Sequence, residues 1–152
     1  MIWTIPMRSE EPAGLLDTNI VILRGAIDAA DLPEQMAISA ITLAELSAGV
    51  HLVPGQGSVA AAERAKRLEI LQRTEHEFDP IPFGPDAARV FGRLTAAVRD
   101  VGRTPRRRVA DLMIAAVAAT EQLSLYTTNP QDFRGLAGAV EIVPVPRPKQ
   151  VP

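Results

Sequence analysis

The chain has 152 residues, 47% of them apolar and 22% charged, with a formal net charge of −2, a profile that fits one globular domain and excludes a disordered tail or a fibrous repeat. The absence of cysteine excludes a disulfide framework, thiolate metal sites and a cysteine nucleophile, and two well-separated histidines, His51 and His76, exclude a multi-histidine zinc centre. Any metal therefore falls to oxygen ligands, and acid–base chemistry falls to carboxylates.

In chain order, residues 1–12 hold two prolines and three charges without periodicity and read as a flexible extension. Residues 13–146 read as the domain and 147–152 as a proline-rich tail. The opening MIWTIPMRSEEP has no basic stretch followed by an apolar core, and no apolar run approaches the roughly 18 residues of a membrane span, so a cytoplasmic protein is expected. Ala13 to Leu16 forms a short apolar strand that runs into Asp17-Thr18-Asn19 and then into the helix start Ile20-Val21-Ile22-Leu23. Met36 to Ser39 reads as a second buried strand, followed by a helix over 41–50 that Gly49 and Pro54 bring to an end. A surface helix is expected over 59–75, with Ala65, Leu68 and Leu71 recurring at helical spacing.

The two prolines in DPIPF confine any strand over 78–83 to an edge or a short piece. Pro85 opens a helix to about Val101, with Val90, Phe91, Leu94 and Val98 on one side and Asp86 near its positive end. Arg106, Arg107 and Arg108 precede VADLMIAAVAATEQL, which is apolar nearly all round and predicts a buried helix. Leu125-Tyr126-Thr127 is a strand, Asn129-Pro130 a turn, Asp132 to Gly135 one helical turn, and Val140 to Val145 holds the last strand. Strands alternating with helices predict an α/β sandwich with a mostly parallel sheet, which binds ligands at the carboxyl ends of its strands.

Four acids stand where such a crevice would lie, and each has a plainer reading. Asp17 follows an apolar strand, where it either caps a helix or meets a cation. Glu45 sits among small and aliphatic residues, either exposed at a helix edge or sharing a cation. Asp111 opens the most apolar helix, favoured there by the helix dipole, by Arg107 and Arg108 one turn earlier, or by a site. Asp132, after the Leu125 strand, can cap the next turn, with Asn129 bracing the bend. Acids converging in one place repel and raise one another's pKa unless a divalent cation neutralises them, and all-oxygen ligation favours magnesium or manganese. Such an ion activates water at a phosphodiester.

LLDTNIVI around Asp17, ITLAELSAG around Glu45, RRRVADLMIAAVA around Asp111 and LYTTNPQDF around Asp132 resemble, in order and spacing, the PIN domain, and within it the VapC-type toxins. The likeness covers about residues 14–145. It implies a three-layer α/β/α sandwich, a Mg²⁺- or Mn²⁺-dependent endoribonuclease, neutralisation by a cognate VapB-type antitoxin, and homodimerisation. It places Asp17, Glu45 and Asp111 as the first three acids. At the fourth position many members carry aspartate where this chain has Asn129, and others the form in which Asp132 supplies the charge. Thr18, Thr128 and Asn129 are then positioners of water or phosphate. Arg106, Arg107 and Arg108, with Arg99 and Arg103 upstream and Arg24 elsewhere, are candidate phosphate contacts or simply solvated charges. The apolar residues between Ile41 and Leu71 serve the core or a groove for a partner helix.

Two rivals stand beside this reading. A phosphotransferase with Asp17 as nucleophile lacks its second acid, because Asn19 occupies that place. A PIN-like module that binds RNA or protein with weak catalysis is the other, with Asn129 hinting at a weakened fourth ligand.

Overall fold

The structure is a computed structural model that describes residues 12–103 and 108–149. Its elements run β1 (Ala13–Leu16), α1 (Thr18–Leu23), β2 (Gln35–Ala37), α2 (Ala40–His51), α3 (Ser58–Glu77), α4 (Pro85–Asp100), α5 (Val109–Glu121), β3 (Ser124–Thr127) and β4 (Ile142–Pro144). The strands form one sheet in the order β2-β1-β3-β4, and every pairing is parallel. Arg106 and Arg107 lie outside the described residues, as do residues 1–11 and 150–152.

Period-two alternation sorts the strand residues onto two faces. Leu15 and Leu125 join α4 and α5 in a core with Leu94, Val98, Leu112 and Ile114. Leu16 and Tyr126 face the other way, against Ile20, Val21 and Leu46 of α1 and α2 and the half-buried Ile70 and Leu71 of α3. Helices on both faces of a parallel sheet make the expected three layers. The all-round apolar pattern of α5 is explained by its depth, since Leu112 and every residue from Ile114 to Ala118 are buried. By contrast, only Ala60 and Thr74 of α3 are fully buried, as a surface helix requires.

Helix boundaries follow local chemistry. Ser39 starts α2 by accepting the Thr42 N–H at 3.2 Å, and Pro85 with Asp86 starts α4. The second strand is shorter than its sequence suggests. Only Gln35–Ala37 pairs with β1, because beyond it the partner changes: Ile81 donates to the Ile38 carbonyl at 2.9 Å and accepts from Ala40 at 2.8 Å. The DPIPF segment thus adds a single bridge at the sheet edge, between its two prolines. The last strand also contracts to Ile142–Pro144, with Val140 and Val145 buried on either side of it.

Gly14 in the central strand is required by close packing. A Cβ there would lie 2.4 Å from Cε1 of Tyr126 and 2.9 Å from Cγ of Pro33. We expect Gly14→Ala to cost about 1–3 kcal/mol in urea unfolding through overpacking, and a loss under about 0.5 kcal/mol would show that the ring moves aside freely.

Candidate active site at the carboxyl ends of the strands

The chain leaves β1 toward β2 on one side and returns to β3 on the other, so the switch point of the sheet lies beyond the carboxyl ends of β1 and β3. Asp17 stands there. Its N–H is held by the Tyr126 carbonyl at 2.9 Å, and its backbone stays extended (φ −65°, ψ 156°). The side chain takes the capping role and has a second partner besides. Oδ1 accepts the Thr18 N–H at 2.8 Å and caps α1, while Oδ2 accepts the Thr127 hydroxyl at 2.8 Å. Thr127 is oriented in turn by the Asn129 N–H at 3.0 Å. Asp17 is only 5% exposed. Burial raises its pKa, Thr127 and the Thr18 amide oppose that rise, and the charges of Glu45 and Asp132 add to it.

Asp111, in the first turn of α5, is also strongly perturbed: burial first, then the charges of Asp17, Asp132 and Glu45, push its pKa to about 7 against a weaker opposing effect of Arg108. Glu45 is exposed at the edge of α2, as its plainer reading held, yet it is tied to the same place. The Thr18 hydroxyl donates to Glu45 Oε1 at 2.6 Å. Because that uses the only hydroxyl proton of Thr18, the 3.0 Å contact with Thr42 must be donated by the buried Thr42. Asp132 sits in a 3-10 turn (Pro130–Phe133) anchored by the buried Phe133. Its carboxylate pairs with Arg108 at 2.8 Å rather than capping the turn, and Asn129 makes no side-chain capping bond.

All four acids are thus brought into one electrostatic neighbourhood, but among the described residues no three carboxylates close into a ready-made metal cage. The donor set nevertheless fits a hard divalent ion. Magnesium keeps several waters and takes only one or two carboxylates directly, so an open ring of acids suits it better than a closed cage. Asp17, Asp111 and Asp132 are the residues that could hold such an ion, directly or through water, with Glu45 at the rim. Among the described residues the buried Thr128 hydroxyl has no hydrogen-bond partner.

Several arginines have other work than phosphate binding. Arg24 pairs with Glu77 and lies over the Phe78 ring, its guanidinium carbon 5.3 Å from the centroid, tying α1 to the end of α3. Arg103 donates to the carbonyls of Asp132 and Arg134, each at 3.1 Å, and clamps the turn. Among the described residues Arg99 pairs with Asp100 alone, at 3.7 Å with both side chains exposed. Sequence reasoning passed over Thr42 and Thr127. The signal for Thr127 was present, because alternation places it on the face of Leu125 and turns Thr128 away. It also passed over Lys66, which with Thr18, Glu45, Leu46, Arg67 and Ile70 lines a cleft of about 250 Å³ between α2 and α3 that opens beside the acids. Arg67 there is engaged by Glu63 at 2.9 Å and the Gly49 carbonyl at 2.8 Å, whereas Lys66 makes no ion pair among the described residues.

A doubly covered parallel sheet with aspartates at its switch point is the architecture of a PIN domain. The PIN domain family model matches residues 15–139, and the chain belongs to this family. It is 38% identical to Ribonuclease VapC5 of Mycobacterium tuberculosis over 147 residues, spanning 91% of this chain and 100% of that protein. Its fold is similar to the crystal structure of VapBC-5, a member of the VapBC family of toxin–antitoxin systems from Mycobacterium tuberculosis, with a TM-score of 0.73 and 37% identity over 88% of this chain and 98% of that one. VapBC2 from Rickettsia felis, bound to a DNA fragment from their promoter, is similar with a TM-score of 0.58 and 25% identity over 85% of this chain and 96% of that one.

The Asp111 shift carries a stability consequence. The folded state binds its proton more tightly than the unfolded chain, so this contribution is fully present below pH 3.8 and is lost as pH rises through about 7. In EDTA, Asp111→Asn is expected to be more stable than the parent at pH 8, by at most about 4 kcal/mol, with the gap closing toward pH 4. Urea unfolding across that range checks it, and a gap independent of pH would refute the shift.

Proposed function

We propose that this PIN-domain chain is a divalent-metal-dependent endoribonuclease, the toxin of a VapBC-type pair, restrained by a cognate VapB-type antitoxin. The observation that carries the reading is the gathering of Asp17, Glu45, Asp111 and Asp132 at the switch point, where burial and mutual repulsion raise the pKa of Asp17 and Asp111. Kinship with proteins named Ribonuclease VapC supports RNA as the substrate, and kinship with VapBC complexes supports the antitoxin.

When bound, a magnesium or manganese ion supplies charge neutralisation and an acidified water. The chain's own residues do the rest. The Thr18 amide and the Thr127 hydroxyl hold both oxygens of Asp17, so that its lone pairs keep one direction. Thr42 and Thr18 form a relay that aims Glu45 from the rim, where it orients the attacking water and accepts its proton. Asp111 and Asp132 complete the ring from α5 and the 3-10 turn. Among the described residues, Lys66 in the α2–α3 cleft and Arg108 beside Asp132 are cations available to an arriving phosphate backbone. With six aromatics in the chain, recognition depends on RNA shape and backbone more than on base stacking.

The test is cleavage of end-labelled RNA by partner-free protein in magnesium or manganese. Discrete cuts are expected, abolished by EDTA, suppressed by the cognate antitoxin and reduced more than about 100-fold in Asp17→Ala and Asp111→Ala, the scale of removing a group that stabilises developing charge. Cutting by either variant at the parental rate would overturn the assignment. RNA binding without cleavage under every divalent ion would favour the binding module.

A further inference from the structure

We infer that Arg108 is a tethered counter-cation that competes with the divalent ion for Asp132, so that metal loading requires its guanidinium to leave. The inference rests on the metal site proposed above. Arg108 Nη1 lies 2.8 Å from Asp132 Oδ1 and 3.7 Å from Asp111 Oδ2, bridging acids contributed by the 3-10 turn and by α5. Among the described residues no other arginine or lysine pairs with a carboxylate of the site. Arg24 is held by Glu77, Arg67 by Glu63 and the Gly49 carbonyl, and Arg103 by the carbonyls of Asp132 and Arg134.

A guanidinium in that position does electrostatically what a divalent ion would do, offsetting the repulsion between Asp111 and Asp132. The two cations cannot share these oxygens without repelling each other, so they are alternatives. The surroundings suit an exchange. Arg108 occupies the N-cap position of α5 with non-helical backbone (φ −126°, ψ 20°) and makes no side-chain capping bond, so its departure leaves the helix start intact. Its side chain is 36% exposed, which gives it solvent to swing into. Asp132 stays in place without it, because Arg103 clamps the turn from its carbonyl side and Phe133 anchors it in the core.

Mn²⁺ titration of RNA-free, full-length protein, followed by the electron paramagnetic resonance signal of unbound Mn²⁺, tests this directly. Relative to the parent, Arg108→Gln is expected to bind Mn²⁺ about two- to fivefold more tightly, the scale of releasing a partly exposed ion pair, with the fold verified by circular dichroism. In an Asp132→Asn background the same substitution is expected to give no gain. Unchanged or weaker binding in Arg108→Gln would overturn the inference, and so would an equal gain in both backgrounds, which would mean general charge repulsion instead of competition for Asp132. If the parent shows no saturable Mn²⁺ binding that Asp17→Asn reduces, the metal reading itself fails and this inference falls with it.

Discussion

Gathering Asp17, Glu45, Asp111 and Asp132 in one crevice raises the free energy of the folded chain, and the remaining architecture is arranged so that this repulsion is tolerated. Each acid is met by a different device. Asp17 has a backbone amide and a threonine hydroxyl, Glu45 has Thr18, Asp132 has Arg108, and Asp111 takes the positive end of the most buried helix as well as the weaker pull of Arg108. None of these removes the conflict, as the rise of Asp111 to about 7 makes plain. Stability has to come from elsewhere, and it comes from the apolar layer in which α4 and α5 cover the sheet.

The sheet's topology decides which acids meet. Had β3 been added outside β2, the connections would have run in one direction, β1 would have been an edge strand, and no switch point would have opened beside it. With the order β2-β1-β3-β4, the connections diverge on either side of β1 and β3, and side chains from β1, α2, α5 and the turn after β3 reach the gap between them. Long-range order in this site is therefore a property of the parallel pairing of Leu16 with Tyr126, two residues whose neighbours supply Asp17 and Thr127.

Much of this was legible in the sequence because its signals are local. Apolar strands ending at Asp17 and at Thr127, an alanine-rich helix opening at Asp111, and a proline at the start of α4 each declare themselves within a few residues. The arginines were harder to read, because a charge run does not say what it faces. Arg103 and Arg24 turn inward to carbonyls and to Glu77, contacts made across 29 to 53 positions of the chain that no local pattern encodes. Thr42 illustrates the same limit, since its value lies in a hydroxyl contact with Thr18 across 24 positions. The shortened β2 was missed for a similar reason, as its partner beyond Ala37 is a proline-flanked bridge from a distant segment.

The sparse burial of α3 has a consequence of its own. A helix of 20 residues that commits only Ala60 and Thr74 fully to the interior is held by the half-buried Ile70 and Leu71, by Arg67 on Gly49 at its middle and by Arg24 on Glu77 and Phe78 at its end. It forms one wall of the cleft beside the acids, while the opposite layer around α5 is packed throughout. Local opening is therefore expected to cost less in α3 than in α5. Its outward residues are also free to change at small cost to the fold. The layer around α5 is thus the more deeply buried of the two, while α3 beside the cleft carries a surface whose residues can change at little cost to the fold.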